Sequence, residues 1–172
     1  MEKLRERPTV SAAGLEFCVL TAARTADVIG AVWSEFDLSA KLWTVPPERM
    51  KGRPEHVVPL SAAALDVVMR MAQVRHGDRV VPAARLDKTL GAIWPGPTVH
   101  GFRSSFRDWA GDCTSFQREV VEAALAHAVG NAVEAAYRRA TAIAKRRELM
   151  EAWVAYCGDF ANGIRLLIRC LS

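Results

Sequence analysis

At 172 residues the chain has the length of a single domain and is long enough to bury a core without metals or disulfides. Hydrophobic residues make up 51% and charged residues 24%, a balance that excludes a disordered chain and a membrane-embedded one. The net charge of +4 suits a polyanionic partner, but many basic proteins bind no nucleic acid, so charge alone decides nothing.

The four cysteines, Cys18, Cys113, Cys157 and Cys170, are far apart and form no CxxC pair, so neither a zinc site nor a disulfide framework is signalled. The N-terminus has charge but no apolar stretch of signal-peptide length, and no apolar run approaches the roughly 18 residues that span a bilayer. The expectation is a soluble, cytoplasmic protein without a membrane partner.

In chain order, Ser11 is placed to cap a helix running to about Arg24, with Leu15, Val19, Ala22 and Ala23 at helical spacing. Thr25 caps a second helix, in which Asp27 complements the dipole and Val28, Ile29 and Trp33 form an apolar stripe. Phe36 to Lys41 reads as a turn. Two β-like runs, Leu42 to Val45 and His56 to Leu60, flank the segment PPERMKGRPE, giving a hairpin with Lys51 near its tip. Ser61 caps a helix whose Leu65, Val68, Met69 and Ala72 repeat at i, i+3, i+4 and i+7 and which ends near His76 and Gly77. No element is assigned between Gly77 and Pro97. Helices are expected again at about 100 to 113, 117 to 126, 131 to 140 and 142 to 156. Trp33, Trp43, Trp94 and Trp153 are assigned to the core, and Lys145, Arg146 and Arg147 to a solvated face able to touch phosphate.

The segment HGFRSSFRDWAGDC carries the most chemistry. At about 100° per residue, Arg103 and Arg107 fall within roughly 60° of His100, while Phe102, Phe106, Trp109 and Cys113 gather on the opposite side. One face is buried and the other presents a histidine with two arginines. An isolated H-x-x-R pair is usually a solvated helix face. This pair is accompanied by Arg24 after TAA, Lys51 in the hairpin, His127 in LAH and Tyr137 in AAYRR.

In that order Arg24, Lys51, His100, Arg103, His127 and Tyr137 resemble the catalytic set of phage-integrase-type tyrosine recombinases, and TAARTADVIGAVW, HGFRSSFRDWA and LAHAVGNAVEAAYRR look like prophage integrases. The resemblance implies a mainly α domain with a small antiparallel β-sheet over residues 1–157, a C-terminal tail over 158–172, and the absence of the N-terminal arm-binding and core-binding domains of a full-length enzyme. Asp27 stands where a Glu is usual three residues after the first Arg, shorter by a methylene but still able to orient Arg24.

The implied activity is site-specific recombination through a 3′-phosphotyrosyl intermediate on Tyr137, with no metal and no cofactor. Arg24 and Arg103 clamp the phosphate, His100 assists proton transfer, His127 donates a hydrogen bond to the phosphate and Lys51 protonates the departing 5′ hydroxyl. The implied partners are duplex DNA, three further copies in a homotetramer, and DNA-bending or excisionase proteins. Arg107, Arg138 and Arg139 are candidate DNA contacts. Two other readings use the same residues: an incompetent DNA-binding or interaction remnant, and a type IB topoisomerase.

Overall fold

The computed structural model describes residues 1–50, 54–81, 85–127 and 139–159. The eight α-helices among these residues are α1 (Glu2–Arg5), α2 (Val10–Thr21), α3 (Thr25–Gly30), α4 (Ala62–Gln73), α5 (Leu86–Ile93), α6 (Gly101–Cys113), α7 (Arg118–Ala124) and α8 (Arg139–Asp159). The strands β1 (Phe36–Asp37), β2 (Leu42–Val45) and β3 (His56–Pro59) form one antiparallel sheet in chain order. The α+β class expected from the sequence is the class observed.

The core is organised around α2, which packs against α1, α3, α4, α5 and α8. Its Ala12, Leu15, Phe17, Cys18, Val19 and Leu20 are all buried, as is Glu16, which pairs with Arg5 and Arg70, so the helix is buried on every side and presents no single apolar stripe to read. Thr9, not Ser11, is its cap: the Thr9 hydroxyl accepts from the Ala12 amide at 3.1 Å. The helix stops at Thr21, three residues before the expected end, because Ala22 turns left-handed with φ 49°. Arg24 therefore lies outside α2, at the N-cap of α3.

The segment expected as a turn after Phe36 contains β1, whose Phe36 pairs with Trp43 and stacks on it at 5.6 Å. Trp43 is fully buried and its indole N–H donates to Glu35 at 2.9 Å. Pro59 is accommodated because β3 forms an edge of the sheet. In α4 the Ser61 cap is as expected, accepting from the Ala64 amide at 3.2 Å, but the helix ends at Gln73 and turns a different face inward. Ala64, Val67, Val68 and Met71 are buried, whereas Met69 is 54% exposed. The stretch without an assigned element holds α5, whose Leu86 and Leu90 are buried and which packs against α2.

The α6 and α8 helices meet through an aromatic cluster of Phe106, Trp109, Trp153 and Tyr156, with Phe106 edge-on to Trp153 at 5.3 Å. The Trp153 indole N–H donates to the Val19 carbonyl at 2.8 Å and ties α8 to α2. Trp43 and Trp153 are core residues, while Trp33 and Trp94 are only partly buried and Cys113 is exposed rather than core. The basic run on α8 is not a solvated face. Arg146 is 8% exposed and donates to the Val57 carbonyl at 2.8 Å, and Arg147 reaches the Ala40 carbonyl at 3.1 Å, so both brace the sheet; Lys145 alone of the three is exposed. Among the described residues no helix is long and apolar enough to cross a membrane.

Candidate active site

Two helix C-termini meet one arginine. The last carbonyls of a helix lack intrahelical donors and carry the negative end of its dipole, so a cation is favoured there. Arg103, near the start of α6, donates from Nη1 to the Ala22 carbonyl at the end of α2 and from Nη2 to the Leu125 carbonyl, 2.8 Å away, at the end of α7. Each terminus turns through a left-handed alanine, Ala22 with φ 49° and Ala126 with φ 53°. Arg103 is 7% exposed, which corrects the expectation that it shares an open face with His100. Burial, and next the neighbouring Arg24 guanidinium, lower its pKa to about 10, so it remains charged at neutral pH.

Arg24 approaches the same loop. Its Nη2 lies 3.5 Å from the Leu125 carbonyl and 3.4 Å from that of Ala126, and its Nη1 is 3.7 Å from Asp27. The aspartate expected to orient Arg24 is thus placed to do so. Asp27 is buried, and burial raises its pKa against the pull of Arg24, Arg49 and Arg103. Arg49 crosses beneath, donating to the Asp27 carbonyl at 2.8 Å and pairing with Glu35. A Cβ on Gly30 would lie 2.5 Å from the Arg49 guanidinium, so a larger residue there would require the tip of Arg49 to shift.

His127 follows this loop and is 41% exposed. Its Nδ1 pairs with Glu122 at 2.5 Å, and the other Glu122 oxygen pairs with Arg107 at 3.3 Å. Arg107, a candidate DNA contact, is therefore engaged by a carboxylate. His100 is exposed at the N-cap of α6 without a side-chain cap bond; the Thr98 hydroxyl accepts from the Gly101 amide at 3.0 Å instead. Lys51, Tyr137 and Arg138 lie outside the described residues, as does the side chain of Arg139. The structure brings together Arg24, Arg103 and the loop that leads to His127, with His100 one turn before Arg103 on α6.

The model of the phage integrase family matches residues 1–84. The prophage integrase IntA of Escherichia coli strain K12 is 34% identical over 148 residues, 78% of this chain and 36% of its own length. Over these spans the chain is similar to phage integrases. The integrase of enterobacteria phage P4 is 27% identical over 82% of this chain and 38% of its own length, and that of Shigella phage Sf6 is 28% identical over 81% and 40%. The chain spans well under half the length of each of these relatives. No solved structure matches.

Three residues around the integrase-type constellation escaped the sequence reading. His56 on β3 hydrogen-bonds to the Ala124 backbone, and burial, with Arg146, Arg24 and Arg103 nearby, lowers its pKa to about 4. Arg146 was assigned to solvent with its neighbours. Glu122 was given no role from the sequence. The available signal for Glu122 was a carboxylate five positions before a candidate histidine at a helix end; His56 and Arg146 gave no local signal, because their partners come from distant elements.

Proposed function

We propose that the chain is the catalytic domain of a site-specific recombinase that cleaves and rejoins duplex DNA in phage or prophage integration and excision. The observation that carries this reading is the convergence of Arg24 and Arg103 on the Leu125 carbonyl, two residues before His127, inside a family whose named relatives are integrases. Attack on a phosphodiester builds negative charge on the nonbridging oxygens, and fixed guanidinium groups stabilise that charge without reorganising. Arg103 is fixed by the two helix ends and stiffens the site; Arg24, partly exposed and oriented by Asp27, is the more accessible clamp.

In this reading Tyr137 is the nucleophile. A phenol with a reference pKa of about 10 is almost wholly protonated at neutral pH, so cationic neighbours and a proton acceptor such as His100 have to activate it. Attack forms a 3′-phosphotyrosyl bond as the bond to the 5′ oxygen breaks, and Lys51 supplies the proton to that departing oxygen. His127 donates a hydrogen bond to the phosphate. The phosphotyrosyl bond conserves the energy of the phosphodiester, so a second 5′ hydroxyl reseals the strand with no ATP and no metal step. The domain extends over residues 1–157, the tail over 158–172 docks on a neighbouring copy, and four copies act on two duplexes, with DNA-bending or excisionase proteins directing the outcome. Arg107, Arg138 and Arg139 contribute phosphate contacts.

The test is a nicked suicide duplex carrying the chromosomal junction that flanks the gene, incubated with the full natural polypeptide and resolved on a denaturing gel. A covalent adduct is expected with the wild type and none with Tyr137→Phe. Adduct formation that persists in Tyr137→Phe, or its absence from the wild type, overturns the reading.

A further inference from the structure

We propose that Glu122 is a positioning residue for His127, holding the ring by its Nδ1–H so that Nε2 is the nitrogen left for the DNA phosphate. The inference rests on the recombinase reading for what His127 acts upon, and on geometry for how the ring is held. The pair is fastened twice: the His127 amide donates to the Glu122 carbonyl at 2.9 Å, and Nδ1 meets the Glu122 carboxylate at 2.5 Å. His127 is 41% exposed while Glu122 is 14% exposed, so the anchoring group is covered and the ring faces outward.

An ionised carboxylate has no proton to give, so the shared proton belongs to Nδ1. The hydrogen bond from His127, followed by the nearby Arg107 and Arg118, keeps the Glu122 carboxyl below the usual range and hence ionised. With Nδ1 committed, a neutral His127 ring carries a bare Nε2 that can only accept. Donation from Nε2 to phosphate therefore requires the doubly protonated ring, and Glu122 is its counter-ion. Arg107 on α6 holds the other carboxylate oxygen at 3.3 Å and Arg118 lies on α7 itself, so both sustain the ionised carboxylate while competing for its charge.

Two measurements separate this assignment from the recombinase reading. Ring 15N NMR on the full 172-residue chain reports which nitrogen of His127 is protonated. The wild type is expected to show Nδ1–H in the neutral ring, and Glu122→Ala the Nε2–H form that free imidazole side chains prefer. An Nε2–H ring in the wild type, or no difference between the two, overturns the proposal. The second measurement is the rate of Tyr137 adduct formation on the nicked duplex. Glu122→Ala, which frees the ring, is expected to slow it about tenfold, with Glu122→Asp, which keeps a carboxylate for Nδ1–H, restoring most of it. Equal rates in the wild type and Glu122→Ala, or no rescue by Glu122→Asp, overturn the proposal. A wild type that forms no adduct sinks the recombinase reading instead, and the NMR result still decides how His127 is held.

Discussion

Arg103 joins two helix ends that would otherwise repel each other, since the terminal carbonyls of α2 and α7 both face the same small space. A lysine at this position keeps the charge but has no planar fork with which to satisfy both acceptors in fixed directions. Arg103→Lys is expected to destabilise the chain by about 1–3 kcal/mol, the cost of leaving a buried carbonyl without its donor, and urea unfolding at neutral pH measures it. A variant as stable as the wild type would mean that the two termini find other donors and that Arg103 is not structural. Arg24 provides the internal contrast. Its side chain is partly exposed and its carbonyl contacts are 3.4 Å or longer, so Arg24→Lys should change stability far less than Arg103→Lys.

At the level of elements, α2 is where small residues matter most. Gly14 faces Val81, and a Cβ there would lie 2.5 Å from the nearer Val81 methyl and 3.3 Å from Leu86. Alanine favours a helix by about 1 kcal/mol over glycine, but overpacking a core costs about 1–3 kcal/mol, so Gly14→Ala should lower stability in thermal unfolding despite the better helix former. An unchanged or higher Tm would show that the Val81 segment moves aside at no cost. The same helix marks the limit of what could be read from the sequence. The β2 run and the Ser61 cap are local signals, and both were legible because strand alternation and a capping hydroxyl need no distant partner. By contrast, a helix buried on all sides has no stripe to reveal its register, β1 is too short to show alternation, and α5 lacks a capping side chain. Arg24 and Arg103 were singled out as residue types in order, and the structure brings both to the Leu125 carbonyl. That Arg103 is buried was not legible, because its acceptors belong to residues 22 and 125 of the chain.

Across the whole molecule, the sheet, the α7 end and α8 converge on His56, and this junction sets the response to acid. Its ring is partly buried, bonded to the Ala124 backbone and surrounded by Arg146, Arg24 and Arg103, with a pKa lowered to about 4. In the unfolded chain the same ring titrates near its usual value of about 6.5. The unfolded state thus takes up the proton first as pH falls. The stabilising contribution of neutral His56 is complete above about 6.5 and is lost progressively as pH drops through about 4, with an upper limit of about 3 kcal/mol. Asp27 acts in the opposite direction, because burial raises its folded pKa and its contribution is therefore lost as pH rises. The two partly offset each other in the mildly acid range, so the wild-type slope alone is ambiguous and a variant is needed. Urea unfolding of the wild type and His56→Gln at about pH 7, 5.5 and 4.5 separates them: the wild type is expected to lose stability relative to the variant at each step. Parallel curves would place acid sensitivity elsewhere. A protonated His56 would add another cation beside three arginines where its ring bonds the Ala124 backbone, so acid should loosen this link between β3 and the end of α7 before it disturbs the core around α2.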